Sequence, residues 1–115
     1  MLKVETGELT PWNFEIEEQR CIKYGKVCTI FVRGSYDGGT NPFPANCSLF
    51  SLPWRPLNLY LHPVDSLTMW RGKEPSNTRP INEYCQYNSQ YNLIILPENV
   101  LNCKYLAFSY TYICE

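Results

Sequence analysis

Residues 22–56 contain the two stretches that decide the fold. Residues 22–30 read Ile-Lys-Tyr-Gly-Lys-Val-Cys-Thr-Ile, and residues 51–56 read Ser-Leu-Pro-Trp-Arg-Pro. In the first stretch Gly25 comes just before a run of β-branched and apolar residues, which predicts a turn followed at once by a strand. Between the two stretches, residues 34–46 are rich in Gly, Asn and Pro, a composition typical of a loop.

The strand after Gly25 differs from the others in its hydrophobic pattern. Within residues 26–33 both sets of alternate positions are largely apolar. We therefore expect this strand to be covered on both faces, at the centre of a sandwich or at a subunit interface. That arrangement would bury Val27, Ile30 and Phe31 together.

Elsewhere apolar and polar residues alternate, the pattern of strands with one buried face. Trp12, Phe14 and Ile16 are predicted to share such a buried face. Further strands are predicted at 47–52, 57–61, 66–70, 79–87, 91–96 and 105–114, and one helical turn at 97–101. With nine prolines, residues 1–115 are predicted to be a single all-β domain, an antiparallel β-sandwich of jelly-roll type with minimal helix and residues 1–11 as an N-terminal lead-in.

Charge and hydropathy narrow the range of functions. The formal net charge is −1 and only 18% of the residues are charged, so there is no basic field to attract nucleic acid. No stretch of about 18 apolar residues occurs, and we expect no membrane insertion. The first residues lack an apolar run of signal-peptide length, so we expect synthesis in a cytoplasm or removal of a leader.

The six cysteines leave two alternatives open. Cys21, Cys28, Cys103 and Cys114 stand in apolar, strand-like surroundings, where a free thiol behaves as a small buried hydrophobe. An even number in a short chain is also compatible with disulfides. No Cys-x-x-Cys spacing occurs, so no zinc site is expected.

Residues for catalysis are scarce. His62 is the single histidine, and Asp65 and Ser66 are too close to it in sequence to converge as a triad. Glu15 and Glu17 are expected on the solvated face of a strand, not opposed across a sugar. No phosphate loop, dinucleotide fingerprint or metal-binding string is present, and we predict no enzymatic activity, cofactor or metal.

Aromatic residues make up 15% of the chain and are the best candidates for binding. Trp54, Trp70 and Tyr87 are predicted to stack on the apolar faces of sugar rings, since their context is loop-like. Residues 86–92 repeat Gln-Tyr-Asn, which combines rigid aromatics with adaptable amides as binding surfaces do. The alternative is that these rings belong to the core or to a subunit interface.

The two opening motifs resemble a known family. Lys-x-Gly-x-Val-x-Thr at 23–29 and Leu-Pro-x-Arg-Pro at 52–56 are similar to motifs in the C-terminal head domains of tail-fibre, baseplate and receptor-binding proteins of tailed bacteriophages and prophages. Residues 91–95 and 106–110 are similar to the closing strands of such heads. The resemblance carries six residues over as fold determinants and no binding residue: Val27, Thr29, Leu52, Pro53, Arg55 and Pro56.

The resemblance implies a trimeric β-sandwich at the virion tail tip, made in the bacterial cytoplasm, that attaches to host cell-surface saccharide or to other tail proteins. The shaft that normally precedes such a head is absent, so the chain is either a small stand-alone protein or part of a longer one. A structural virion component that binds other tail proteins is one alternative function. A small secreted disulfide-bonded binder or inhibitor is the other.

Overall fold

The structure is a computed structural model that describes residues 3–39, 41–57, 66–71, 78–81, 85–96 and 103–115, with the backbone alone for 66–71, 78–81 and 108. In chain order the strands are β1 (Val4–Gly7), β2 (Thr10–Pro11), β3 (Phe14–Tyr24), β4 (Val27–Tyr36), β5 (Ser48–Ser51), β6 (Ser66–Arg71), β7 (Thr78–Ile81), β8 (Gln86–Asn88), β9 (Leu93–Ile95) and β10 (Cys103–Ile113). No helix occurs in these described ranges. The prediction of an all-β, antiparallel fold is confirmed.

The strands form two sheets. The larger sheet has the order β1-β3-β4-β10-β6-β7, and the smaller one has the order β2-β5-β9-β8. All the recorded pairings are antiparallel. The chain therefore crosses between the sheets several times, and neighbours in space are often distant in sequence.

A tight hairpin joins β3 to β4, and the opening motif predicted its turn and the strand that follows. Tyr24 pairs with Val27, which leaves Gly25 and Lys26 as a two-residue loop. Gly25 has a φ of 63°, and it occupies the first loop position, where a type II′ hairpin turn requires glycine. The turn directs β4 back along β3.

The core lies between the two sheets. β4 contributes Cys28, Ile30 and Val32, all with 0% exposure, and β5 contributes Leu49 and Phe50 from the opposite side. These residues belong to one continuous buried cluster. The two sheets therefore pack face to face, as in a sandwich.

The outer face of β4 is open, which corrects the prediction for this strand. Ile30 is buried as predicted, but Val27 is 42% exposed and Phe31 is 38% exposed. The pleat turns these two residues away from the smaller sheet, and the chain covers them only in part. The apolar pattern on both faces therefore does not mean that both faces are buried within one chain.

Trp12 also lies elsewhere than predicted. It is 43% exposed, whereas Phe14 is buried. The backbone amides of Trp12 and Asn13 donate to the carbonyls of Leu49 and Ser48 at 2.9 and 3.1 Å, so the chain at this point is still attached to the smaller sheet. The alternation along β3 consequently does not extend back to Trp12.

The other strand predictions mostly hold, with shifted ends. Residues 47–52, 66–70, 91–96 and 105–114 correspond to β5, β6, β9 and β10. The predicted strand at 79–87 contains parts of two strands, β7 and β8, and the predicted lead-in at 1–11 contains β1 and β2. Residues 58–61 and the predicted turn at 97–101 lie outside the described residues.

Neighbouring residues of β4 should differ strongly in their effect on stability. Ile30→Ala should lower the free energy of unfolding by about 2–5 kcal/mol, because it leaves a cavity in a fully buried site. Phe31→Ala should cost about 1 kcal/mol or less in a single chain, since much of the ring already faces water. Urea unfolding of both variants measures the difference, and equal losses would mean that Phe31 is covered.

Candidate binding site

An exposed aromatic pair marks one edge of the smaller sheet. Trp12 lies between β2 and β3, and Tyr91 lies in the turn between β8 and β9. Their ring centroids are 5.4 Å apart with an interplanar angle of 66°, an edge-to-face contact. Tyr91 is 50% exposed, so both rings present surface to solvent.

Ser51 holds the two aromatic residues together. The indole Nε1–H of Trp12 donates to the Ser51 hydroxyl at 3.0 Å, and that hydroxyl donates to the carbonyl of Tyr91 at 2.7 Å. Ser51 is fixed in β5, where it pairs with Thr10 and Leu93. The two aromatic residues are therefore held in a fixed position relative to each other.

The Gln-Tyr-Asn repeat builds the turn that carries Tyr91. The side-chain oxygen of Asn88 accepts from the amides of Gln90 and Tyr91 at 2.9 and 3.3 Å, an Asx turn. Asn92 adopts a φ of 52°, and its side-chain nitrogen Nδ2 donates to the carbonyl of Leu52 at 3.0 Å. The asparagines thus serve the backbone, while Gln90 and Tyr91 remain exposed.

A shallow cleft of ≈ 580 Å³ opens beside Trp12. Trp12 and Phe14 supply its aromatic lining. Gln19 also lines it and accepts from the amide of Leu9 at 2.8 Å through its side-chain oxygen. Three exposed carboxylates also line it: Glu8, Glu15 and Asp37. The cleft therefore combines aromatic surface with acceptor oxygens, and the charged side chains in its lining are all acidic.

The structure places two of the predicted stacking residues in supporting positions. The Trp54 ring lies so close to Gly7 that a Cβ there would be 3.0 Å from it, and the Trp54 carbonyl accepts from the hydroxyl of Tyr112 at 2.7 Å. Tyr87 is partly buried against the core, and its hydroxyl donates to Asn92. Both side chains are partly buried and pack against the core.

For Trp70, the third predicted stacking residue, the structure describes only the backbone. Its backbone lies in β6 opposite Tyr105 and Thr78, but its side chain lies outside the described residues. Tyr91 belongs to the Gln-Tyr-Asn repeat at 86–92 that the sequence indicates as a binding surface, whereas Trp12 was predicted to lie on a buried face. The sequence feature that indicates a break before β3, and so a different position for Trp12, is the preceding Pro11. Proline lacks a backbone donor and suits a strand end.

All six cysteines are free thiols. Burial raises the pKa of Cys21 and of Cys47 to about 11. Burial, together with the neighbouring Cys114 thiol, raises the pKa of Cys28 to about 12. Because the thiolate is the reactive form, these side chains are poor nucleophiles at neutral pH.

The carboxylates on β3 are solvated, as the pattern predicts. Glu15, Glu17 and Glu18 are all exposed. Arg33 Nη2 lies 3.0 Å from Glu18, and Arg33 Nε lies 4.0 Å from Glu17. His62 lies outside the described residues.

The described residues contain neither a cluster of metal ligands nor a membrane-spanning helix. No group of three or more His, Cys, Asp or Glu side chains there is arranged to hold a metal ion. Within the same ranges, no helix is long and apolar enough to cross a membrane.

Comparison with models of protein families, with curated proteins and with solved structures gives no match to this chain.

The buried thiols predict a fall in stability at alkaline pH. In the unfolded chain these cysteines ionise near their ordinary pKa of 9.0, whereas in the folded chain Cys21, Cys28 and Cys47 ionise at about 11 to 12. Above pH 9 the folded state therefore holds more protons, so the free energy of unfolding should be constant below that pH and fall as the pH rises towards 11.

Urea midpoints measured from pH 7 to about 11 test this linkage. A thiol assay supplies the control, since six thiols per chain should react in denaturant without reductant. Native protein at neutral pH should react slowly. A flat stability profile across that range, or fewer than six thiols, would contradict the free, buried state.

Proposed function

We propose that this chain is a non-enzymatic binding domain that attaches to a cell-surface saccharide through Trp12 and Tyr91. The observation that carries the proposal is an exposed aromatic pair held by Ser51 beside a cleft with amide and carboxylate groups. Aromatic faces stack on the apolar faces of sugar rings, and acceptor oxygens hold the hydroxyls. Few charged residues and a formal net charge of −1 leave little scope for electrostatic capture.

The negative lining of the cleft restricts the class of saccharide. An anionic sugar would meet the like charges of Glu8, Glu15 and Asp37, and this repulsion costs affinity. Neutral or amine-bearing sugars avoid that cost. We therefore propose a neutral or amino-sugar polysaccharide as the ligand.

The setting that we propose is the tail tip of a phage or prophage virion. The motifs at 23–29 and 52–56 support this proposal through their resemblance to receptor-binding heads. The first motif forms the hairpin between β3 and β4. The second forms the connection that links β5 to the end of β10. The Arg55 side chain donates to the carbonyl of Ser89 at 2.6 Å, and Pro56 forms an isolated antiparallel β-bridge with Cys114.

Multiplicity would compensate for a weak single site. A shallow cleft of this kind is expected to bind at about millimolar, near −4 kcal/mol. A homotrimer carries three such sites on one tip, and linked sites gain avidity without any new contact.

Removal of either exposed ring should abolish most of the binding. Trp12→Ala and Tyr91→Ala should each weaken binding at least about tenfold, equivalent to 1.4 kcal/mol, with little change in stability because both rings are exposed. A glycan array of bacterial polysaccharides and adsorption to whole cells provide the measurement. Thr10→Ala is the matched control, since it changes an exposed side chain on β2 and keeps both rings.

The outcome separates the candidate functions. Binding that survives in both variants would place the site elsewhere. No binding of any polysaccharide by the wild-type protein would favour the structural virion component.

A further inference from the structure

The exposed large hydrophobic side chains of the described residues fall into two groups. Trp12 and Tyr91 form the aromatic pair of the binding site. The others are Val4, Tyr24, Val27, Phe31, Leu57 and Ile113. This second group has no part in the binding site described above.

Strand register brings most of the second group into one row. Tyr24 pairs with Val4 on one side and with Val27 on the other, and Val27 pairs with Ile113. Directly paired residues of neighbouring strands point to the same face. The amide of Leu57 donates to the carbonyl of Ile113 at 2.8 Å, which extends the row by one segment.

We call this row, Val4–Tyr24–Val27–Ile113–Leu57, the apolar stripe. It crosses four strands and one adjoining segment, a width of about 19 Å at the usual strand spacing. Its side chains are between 42% and 59% exposed. Monomeric proteins rarely expose a contiguous apolar surface of more than a few hundred Å², and larger patches mark contact sites.

On one side, the stripe borders a row of uncharged residues. The next row along the outer face consists of Thr6, Ile22, Thr29 and Thr111 by the same registers. The hydroxyls of Thr29 and Thr111 lie 3.5 Å apart. Charged side chains flank both rows: Arg20 and Glu18 lie farther along β3, and the exposed Lys3, Lys26 and Glu115 lie beside the stripe at the hairpin and the strand ends.

We propose that the apolar stripe is the surface through which copies of this chain associate. A partner that placed charged groups on the stripe itself would have to desolvate them against apolar side chains. The stripe of another copy offers the same row of uncharged side chains, so apolar area is removed from water on both sides. Two sheet faces pack in this way about 10 Å apart.

The area of this face suits self-association. β3 and β10 each contain 11 residues, so the outer face of β1, β3, β4 and β10 covers roughly 600 Å² at standard strand dimensions. A standard interface buries about 800 Å² per partner, with an apolar centre and a polar rim. The stripe supplies the centre, and the threonine row and the charged end supply the rim.

The apolar stripe can form the contact between copies in assemblies of different size. Three stripes can face a common axis, as the proposed homotrimer requires, and this choice of three rests on the proposed function. Two stripes can also meet face to face across a two-fold axis.

Light scattering on the full chain at micromolar concentration tests the proposal. The wild-type protein should have a mass that is a multiple of 13.5 kDa. Val27→Glu and Ile113→Glu should each return a single-chain mass with an unchanged circular dichroism spectrum, because both positions are exposed and tolerate a charge when uncovered. Thr10→Glu, which adds the same charge on the smaller sheet, should keep the wild-type mass.

A wild-type mass of 13.5 kDa would overturn the proposal, and so would oligomers that persist in both stripe variants. The two substitutions lie on different strands, so a variant that fails to fold leaves the other as the test. Polysaccharide binding by monomeric Val27→Glu distinguishes this proposal from the proposed function. In Val27→Glu the affinity of each single site should remain, while the avidity of the assembly is lost. Trp12→Ala should show the reverse, with polysaccharide binding lost and the oligomer intact.

Discussion

The pairing of β4 with strands on both sides is the constraint on which the rest of the structure depends. β4 pairs with β3 along its whole length and with β10 from Val27 to Ser35. This double pairing holds Ile30 and Val32 under the smaller sheet, where β5 and β9 close the core. β10 in turn anchors the connecting segments, because the carbonyl of Cys103 accepts from Phe43 at 2.7 Å. Without the double pairing of β4, neither sheet would have a fixed face against which to pack.

The sequence predicted those parts of the fold that depend on local pattern. Gly25 predicted the turn before β4, because few other residues tolerate its backbone conformation, and alternation identified most of the strands. Sequence could not predict which apolar face of β4 the other sheet covers, because Phe31 and Ile30 are equally apolar. A bulge between Ile16 and Glu18 also shifts the alternation, which no residue type signals clearly.

For the candidate site, the sequence predicted a kind of chemistry, an aromatic and amide-rich surface, which stays a prediction. Two rings selected from their loop-like context, Trp54 and Tyr87, are partly buried against the core. Whether an aromatic ring is free depends on contacts between distant segments, such as the approach of Trp54 to Gly7. The position of Trp12 likewise depends on where the chain changes sheets. These are tertiary facts, and no short window of sequence contains them.

The long-range pairing of β4 also determines the order in which this protein can fold. Thr29 on β4 faces Thr111 on β10, and β10 is synthesised after all the other strands. A chain emerging from the ribosome therefore exposes one edge of β4 until β10 is complete. Contacts so far apart in sequence slow folding, and unpaired strand edges attract other chains. We therefore expect nascent or truncated chains that lack β10 to aggregate or to require chaperones, even though the finished protein is well packed.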